Sequence, residues 1–331
     1  MKSLYLFLFF LSIGLCLSAQ TNRLKFKRLK AMPKGKYDMS YASDGEILYI
    51  IGGSGHRRDF SSEIFTYYAK YEIWLRLRTE KWLEPQKKAT AVYYPPQHRV
   101  YVFGGVGEYE PERSAVRYVE YLLPEIRYID AKTKRWEIWG ENEHEGANIG
   151  VSTWKDKIYL FGGSIGTQDP GKGFGYLADV REFDPRDGTW RALPDMPYAK
   201  EAPGCIIDGV LYTFGGYNGG SFQDVSALDL AQERWRSLGN LPVALSGHVV
   251  VPWNKYAILI GDSRKLNYLA IYDTETGKVR EFKTNIKGHT RGACVIGEKL
   301  YVFGGLLFSE KNSTRDSFFE LDLSVLEKAL F

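Results

Sequence analysis

A short apolar strand ending in two glycines recurs along the whole chain. It reads ILYIIGG at 47–53, RVYVFGG at 99–105, KIYLFGG at 157–163, VLYTFGG at 210–216 and KLYVFGG at 299–305, with a worn copy, AILIGD, at 257–262. The first glycines stand at 52, 104, 162, 215, 261 and 304. A unit of about fifty residues built on such a strand cannot bury its apolar face alone, so the chain must fold as stacked β-units. Nothing else in the 331 residues restricts the fold as tightly.

The fourth copy shows the unit most clearly. Residues 204–207 form a short apolar strand, and Asp208-Gly209 suits the two positive φ angles of a tight hairpin. Residues 210–216 then return antiparallel, a third strand is expected at 225–230, and Trp235 opens a fourth. Asp229, six residues before Trp235, falls on the turn between the last two, where a carboxylate can accept backbone N–H groups. The same spacing links Asp130 to Trp136, Asp184 to Trp190 and Asp273 to Val279. Tyrosine stands three before the first glycine in five copies: Tyr49, Tyr101, Tyr159, Tyr212 and Tyr301. Rings at fixed places fill the space between stacked sheets.

Paired glycines, the downstream aspartate and the tryptophan resemble the kelch repeat, over residues 24–331. The resemblance implies an all-β fold, a six-bladed kelch-type β-propeller with one four-stranded blade per copy. Three copies depart from the pattern. Copy one has Trp74 followed by Leu75-Arg76, copy five lacks a glycine and its tryptophan, and copy six reaches Leu321-Asp322 with no fourth strand. Residues 24–33, LKFKRLKAMP, look like the strand after a repeat tryptophan (WRALPDMP, 190–197) and belong to no copy. The N-terminal segment 24–35 is therefore expected to complete the last blade and close the ring, hiding both open edges. Residues 20–331 then form one domain.

Ahead of it, Lys2, the apolar run 4–17 and Ser18-Ala19 read as an export signal, residues 1–19, cleaved after Ala19. Leu15 stands where a lipoprotein site needs a small residue before Cys16. The expectation is a secreted or periplasmic monomer, with no membrane insertion after cleavage. A net charge of +4 without a basic run gives no reason to expect a nucleic-acid partner. Cys205 and Cys294 each lie seven residues before the tyrosine of their copy, so they read as equivalent buried thiols. A disulfide between them would have to cross between units.

The interval from the second glycine place to the tryptophan place is 29, 31, 27, 19 and 17 residues in copies one to five. Longer connections between strands two and three are thus expected in the first three copies, and 309–317 is a long polar loop in the sixth. Strand alternation puts these connections and the entries to each next unit on one face, where a rigid scaffold carries its function. The loops mix rings and charges: Arg57, Arg58 and Phe60 in the first, Glu108, Arg113 and Tyr121 in the second, Lys172 and Tyr176 in the third. The entries add Glu201, His248, His289 and Arg291, with Arg264 just past the fifth glycine. His248 and His289 are expected near one another at the axis. Arg57, Arg58, Arg264 and Arg291 are the candidate ligand-binding residues, and Glu201, His248 and His289 the candidates for proton transfer.

No G-x-S-x-G, H-E-x-x-H, Walker or dinucleotide motif occurs, and the five histidines show neither i, i+2 nor i, i+4 spacing. No cofactor and no metal are expected. Two functions fit. One is a binding module presenting its loop face to a protein or glycan ligand. The other rests on resemblance alone: secreted six-bladed kelch propellers include sialic-acid epimerases, and this chain is similar in size, signal and blade count. That likeness implies an acidic sugar such as N-acetylneuraminate, an arginine (Arg264 or Arg291) on its carboxylate, and Glu201, His248 or His289 moving the proton. One sequon, Asn312-Ser313-Thr314, lies in the last loop.

Overall fold

The computed structural model describes residues 23–55, 59–79, 83–109, 119–166, 175–289, 291–307 and 315–330. Each glycine-paired segment is the second strand of its own antiparallel sheet, and strands pair in chain order. In the fourth sheet these are Gly204–Ile207, Val210–Tyr217, Ser221–Asp229 and Arg234–Leu245. The first sheet runs Ser40–Ser43, Ile47–Ile51, Ile64–Tyr68, Ile73–Leu77; the second, Thr90–Tyr94, Arg99–Phe103, Glu125–Asp130, Trp136–Glu141. The third comprises Gly150–Trp154, Lys157–Phe161, Val180–Phe183 and Trp190–Leu193, and the fifth Val249–Trp253, Tyr256–Ile260, Tyr268–Asp273 and Val279–Thr284. The sixth begins Gly292–Ile296, Lys299–Phe303, Phe318–Asp322.

Local chemistry explains these elements. Asp208 (φ 50°) and Gly209 (φ 77°) make the hairpin that sets Ile207 opposite Val210. Asp229 Oδ1 accepts the N–H groups of Ala231 (2.9 Å) and Gln232 (3.0 Å), and Asp130 and Asp273 hold their turns in the same way. Trp136 lies opposite Ile129, Trp190 opposite Phe183 and Trp235 opposite Leu228.

Trp74 takes that same register, opposite Tyr67. Copy one therefore has its tryptophan in place, with Tyr68 where other copies carry the turn aspartate. The 29-residue interval expected there overshoots the real fourth strand, and the connection between strands two and three runs only from Gly52 to Glu63. The second sheet does carry a long connection. It contains a hairpin of its own, Val106–Tyr109 and Val119–Leu122, which pairs with Gln86–Lys87 at the entry to the sheet.

The paired glycines tie neighbouring sheets together. The second glycine of a pair donates its N–H to the entry of the next sheet: Gly53 to the Gln86 carbonyl (2.8 Å), Gly105 to Gly146 (2.8 Å), Gly163 to Lys200 (3.0 Å). Gly305, in the last copy, bonds Lys36 O at the entry to the first sheet (2.8 Å). The backbones approach so closely that a Cβ on Gly104, already at φ +56°, would sit 2.2 Å from the Gly146 oxygen.

Between the sheets lie apolar cores. Tyr49 and Ile51 of the first sheet pack with Val100, Val102 and Trp136 of the second. Comparable cores join second to third, third to fourth, fourth to fifth and fifth to sixth. The sixth sheet also packs on the first: Tyr67 meets Phe318 edge-on at 4.6 Å, and Tyr301 and Phe303 share that core with Leu48 and Ile50.

Lys27–Arg28 pairs antiparallel with Glu320 and Phe319, adding a fourth strand to the sixth sheet. Upstream, Arg23–Leu24 pairs in parallel with Lys283 and Thr284 of the fifth sheet, a contact beyond the closing role expected of this segment. After Asp322 the chain turns into a helix, Leu323–Leu330, whose Leu323 and Leu326 are buried in the core between the fifth and sixth sheets. Among the described residues no helix is long and apolar enough to cross a membrane. Cys205 and Cys294 are free, each opposite its tyrosine (Tyr212, Tyr301), and burial pushes both thiols up to about 12.

Candidate functional site: the mouth of the axial cavity

The first strands of successive sheets stand around a cavity of about 640 Å³. At one end each strand is preceded by a tight entry. Asp38, Lys88 and Asn148, two residues before the first three of these strands, all have left-handed backbones (φ 51°, 59° and 51°), and Gly247 repeats this before the fifth (φ 63°). The Lys88 N–H bonds the Asp38 carbonyl (2.8 Å) and the Asn148 N–H bonds that of Lys88 (2.9 Å), so backbone bonds run around part of the rim. The second glycines bond these same entries. The connections between strands two and three thus share this end, as strand alternation predicts.

Asp38, Lys88, Asn148, Glu201, His248 and Arg291 all line the cavity. Glu201 is fixed by two donors on one oxygen: Asn148 Nδ2 at 2.8 Å and Ser164 Oγ at 2.9 Å from Oε1. Its neighbour Lys200 is 1% exposed and bonds Asp224 (2.6 and 2.8 Å) beside the Phe222 ring. Burial lowers the Lys200 pKa, and Asp224 resists that shift.

His248 is buried and neutral. Burial lowers its pKa to about 4, against the Asp262 carboxylate and the nearby Phe214 carbonyl. His289 is lowered too, by burial first, with Asp262 opposing and Arg291 assisting. The charge of one carboxylate, Asp262, thus acts on both histidines; His248 lines the cavity while His289 pairs backbone-to-backbone with Leu306. Asp262 was legible only as a damaged glycine pair. It is 1% exposed and accepts three backbone bonds, from Ser246 (2.9 Å), Arg264 (2.8 Å) and Lys265 (2.9 Å). A carboxylate standing where five other copies have glycine was the available signal.

Arg291 is 5% exposed. Its Nη1 reaches Ser317 Oγ at 3.4 Å, its Nε has no hydrogen-bond partner, and no described carboxylate forms an ion pair with it. Burial, then the adjacent Arg315, pushes its pKa down to about 10. Arg264 sits elsewhere, exposed on the turn that Asp262 holds, and does not line the cavity. Arg57, Arg58, the Asn312 sequon and residues 1–19 lie outside the described residues. Among the described residues no group of three or more His, Cys, Asp and Glu could hold a metal ion.

Among the described residues, a buried guanidinium with no ion-paired carboxylate, Arg291, and a carboxylate with no ion-paired cation, Glu201, thus line one cavity. Four-stranded antiparallel sheets packed face to face about such an axis define a β-propeller. Residues 37–262 match the family model described as the KLHDC2/KLHL20/DRC7 Kelch-repeats domain, and the chain belongs to the kelch-repeat family. It is 24% identical to Kelch-like protein 38 of Rattus norvegicus over 284 residues, 82% of this chain and 44% of that protein. It is 26% identical to Spermatocyte protein spe-26 of Caenorhabditis elegans over 207 residues, 62% of this chain and 33% of that one. With the F-box/kelch-repeat protein At5g39560 of Arabidopsis thaliana it shares 31% over 111 residues, 33% and 25% of the respective chains. The chain spans less than half the length of each of these relatives.

Proposed function

We propose that this chain is a six-bladed kelch propeller, its ring closed by the segment 24–35, which works as an exported interaction module. A segment of a partner protein enters the axial mouth on the side of the long connections. Three features support the ring: the Lys27–Glu320 pairing, the Gly305 bond to Lys36 and the core shared by the sixth and first sheets. The observation that carries the function is Arg291, buried at the cavity wall with no carboxylate among its described partners. A buried charge is costly to leave uncompensated, and a ligand group can supply what the fold does not. Kelch membership supports a protein rather than a small-molecule ligand.

Selection of displayed peptides against the protein tests this. Selected peptides should lose about tenfold or more in affinity with Arg291→Gln, and be unchanged by Lys155→Ala on a hairpin at the opposite end. Binding that survives Arg291→Gln and Glu201→Gln together would place the partner elsewhere and overturn the reading. Anomer exchange of N-acetylneuraminate, followed by NMR, is expected to run at the buffer rate; acceleration would favour the sugar isomerase instead. Export with cleavage before Gln20 is checked by sequencing the mature N-terminus.

A further inference from the structure

The mouth is chemically lopsided, and its fourth-sheet side is built differently from the Arg291 side. Glu201 and Tyr217 form a directly opposed antiparallel pair, exchanging both backbone bonds at 3.0 Å. Opposed residues project their side chains from the same face of a ladder, within reach of each other. Both line the cavity. Tyr217 is 39% exposed, and its ring and that of Tyr176 pack in a T-shaped pair with centroids 6.1 Å apart.

The hydrogen-bond inventory here favours acceptors. The single hydroxyl proton of Ser164 and one amide proton of Asn148 are committed to Glu201 Oε1. Among the described residues no donor is paired with Glu201 Oε2 or the Asn148 side-chain oxygen, so both remain as acceptors on residues that line the cavity. No ion pair engages Glu201 among the described residues. Asp38 is also on the rim; burial raises its pKa, Lys88 and Lys87 counter that, and the Glu201 charge adds to the rise. A negative group with spare acceptors beside an aromatic face suits a ligand that brings donors and positive charge.

We infer that Glu201 and Tyr217 form a cation subsite, which seats the ammonium or guanidinium of a lysine or arginine side chain from the partner segment. This rests on the reading that the partner enters the axial mouth. Asn148 and Ser164 hold the carboxylate in place, Oε2 receives the cation, and the Tyr217 face covers its alkyl stem.

Titration of the tyrosine-labelled protein by NMR tests the subsite without any partner. The probes are N-acetyl-lysine methylamide and N-acetyl-arginine methylamide, with Nε-acetylated lysine, norleucine methylamide and glucose as neutral comparisons. The cationic probes should shift Tyr217 and weaken about fivefold or more with Glu201→Gln or Tyr217→Leu. Acetylation of the lysine should abolish the effect. Equal binding of norleucine or glucose, or a lysine response unchanged by Glu201→Gln, overturns the subsite. Should Glu201→Gln fail to fold, the charged-versus-acetylated comparison on the wild-type protein decides alone. Peptides that still depend on Arg291 while the lysine probe fails would sink only the subsite. A lysine probe that binds while no peptide depends on the mouth would sink only the module.

Discussion

At the scale of single residues, the glycine pair is the part of this protein that tolerates least. Gly104 has a positive φ and no room for a side chain, because the carbonyl of Gly146 from the next sheet lies where a Cβ would go. An L-residue in that backbone region costs about 1–2 kcal/mol, and displacing a neighbouring backbone adds to it. Gly104→Ala is expected to lower stability by about 3 kcal/mol in urea melts, whereas Gly140→Ala, with nothing within 4 Å of the added methyl, should be close to neutral. Equal effects from the two would mean the pair is a relic of repetition rather than a requirement. The same scale shows why Asp262 is instructive. It has given up the second glycine, and its carboxylate instead accepts the N–H of Ser246 at the entry to its own sheet and those of Arg264 and Lys265 on the turn that follows.

At the scale of elements, legibility followed locality. The hairpin at Asp208-Gly209, the aspartate turns and the glycine-paired strands are fixed by a few adjacent residues, and each formed where the sequence placed it. Trp74 was hidden because Tyr68 replaces the aspartate that would have flagged its turn, and only the pairing with Tyr67 reveals its register. Tyr217 was missed for a similar reason: it follows the glycines as one more aromatic residue, and only the cross-strand pairing with Glu201 brings it to the mouth. The places of Glu201, His248 and Arg291 could be read because each lies within three residues of the start of a first strand, while Arg264 had no such anchor and is exposed. The parallel pairing of Arg23–Leu24 has no sequence periodicity to announce it. Its consequence is testable. The N-terminal segment bonds the fifth sheet through Leu24 and Phe26, the sixth through Lys27, and buries Met32 between the sixth and first. Removing residues 20–35 should leave an unpaired edge at Phe318–Asp322 and open two cores. Size-exclusion chromatography should then show oligomers or aggregate; a monomer that melts like the full chain would disprove the closure.

At the scale of the whole molecule, the buried histidines make stability depend on pH in a direction that can be worked out. His144, His248 and His289 are all buried, and burial lowers each pKa; the Gly162 carbonyl opposes this for His144, and Asp262 for the other two. A base whose folded pKa is depressed is neutral in both states above about 6.5, so its contribution is complete there. As pH falls below that value the unfolded chain takes up protons that the folded chain refuses, and stability drains away until the folded pKa is reached. For His248, with a folded value of about 4, the loss is on the order of 3 kcal/mol between pH 6.5 and 4. Carboxylates act in a lower window. Asp184, held down by Arg186 and then Lys157, and Glu320, held down by Lys299 and Lys27 against its burial, contribute stability above about pH 4 that disappears only below it. Urea midpoints should therefore hold nearly level from pH 7.5 to about 6.5 and fall from there to 4.5, before the carboxylates titrate. His248→Gln should flatten that slope while costing some stability at pH 7.5, where the wild-type imidazole is already neutral. An unchanged slope in the variant would show that His248 takes up its proton in the folded ring, and that the wall of the axial cavity admits water to it.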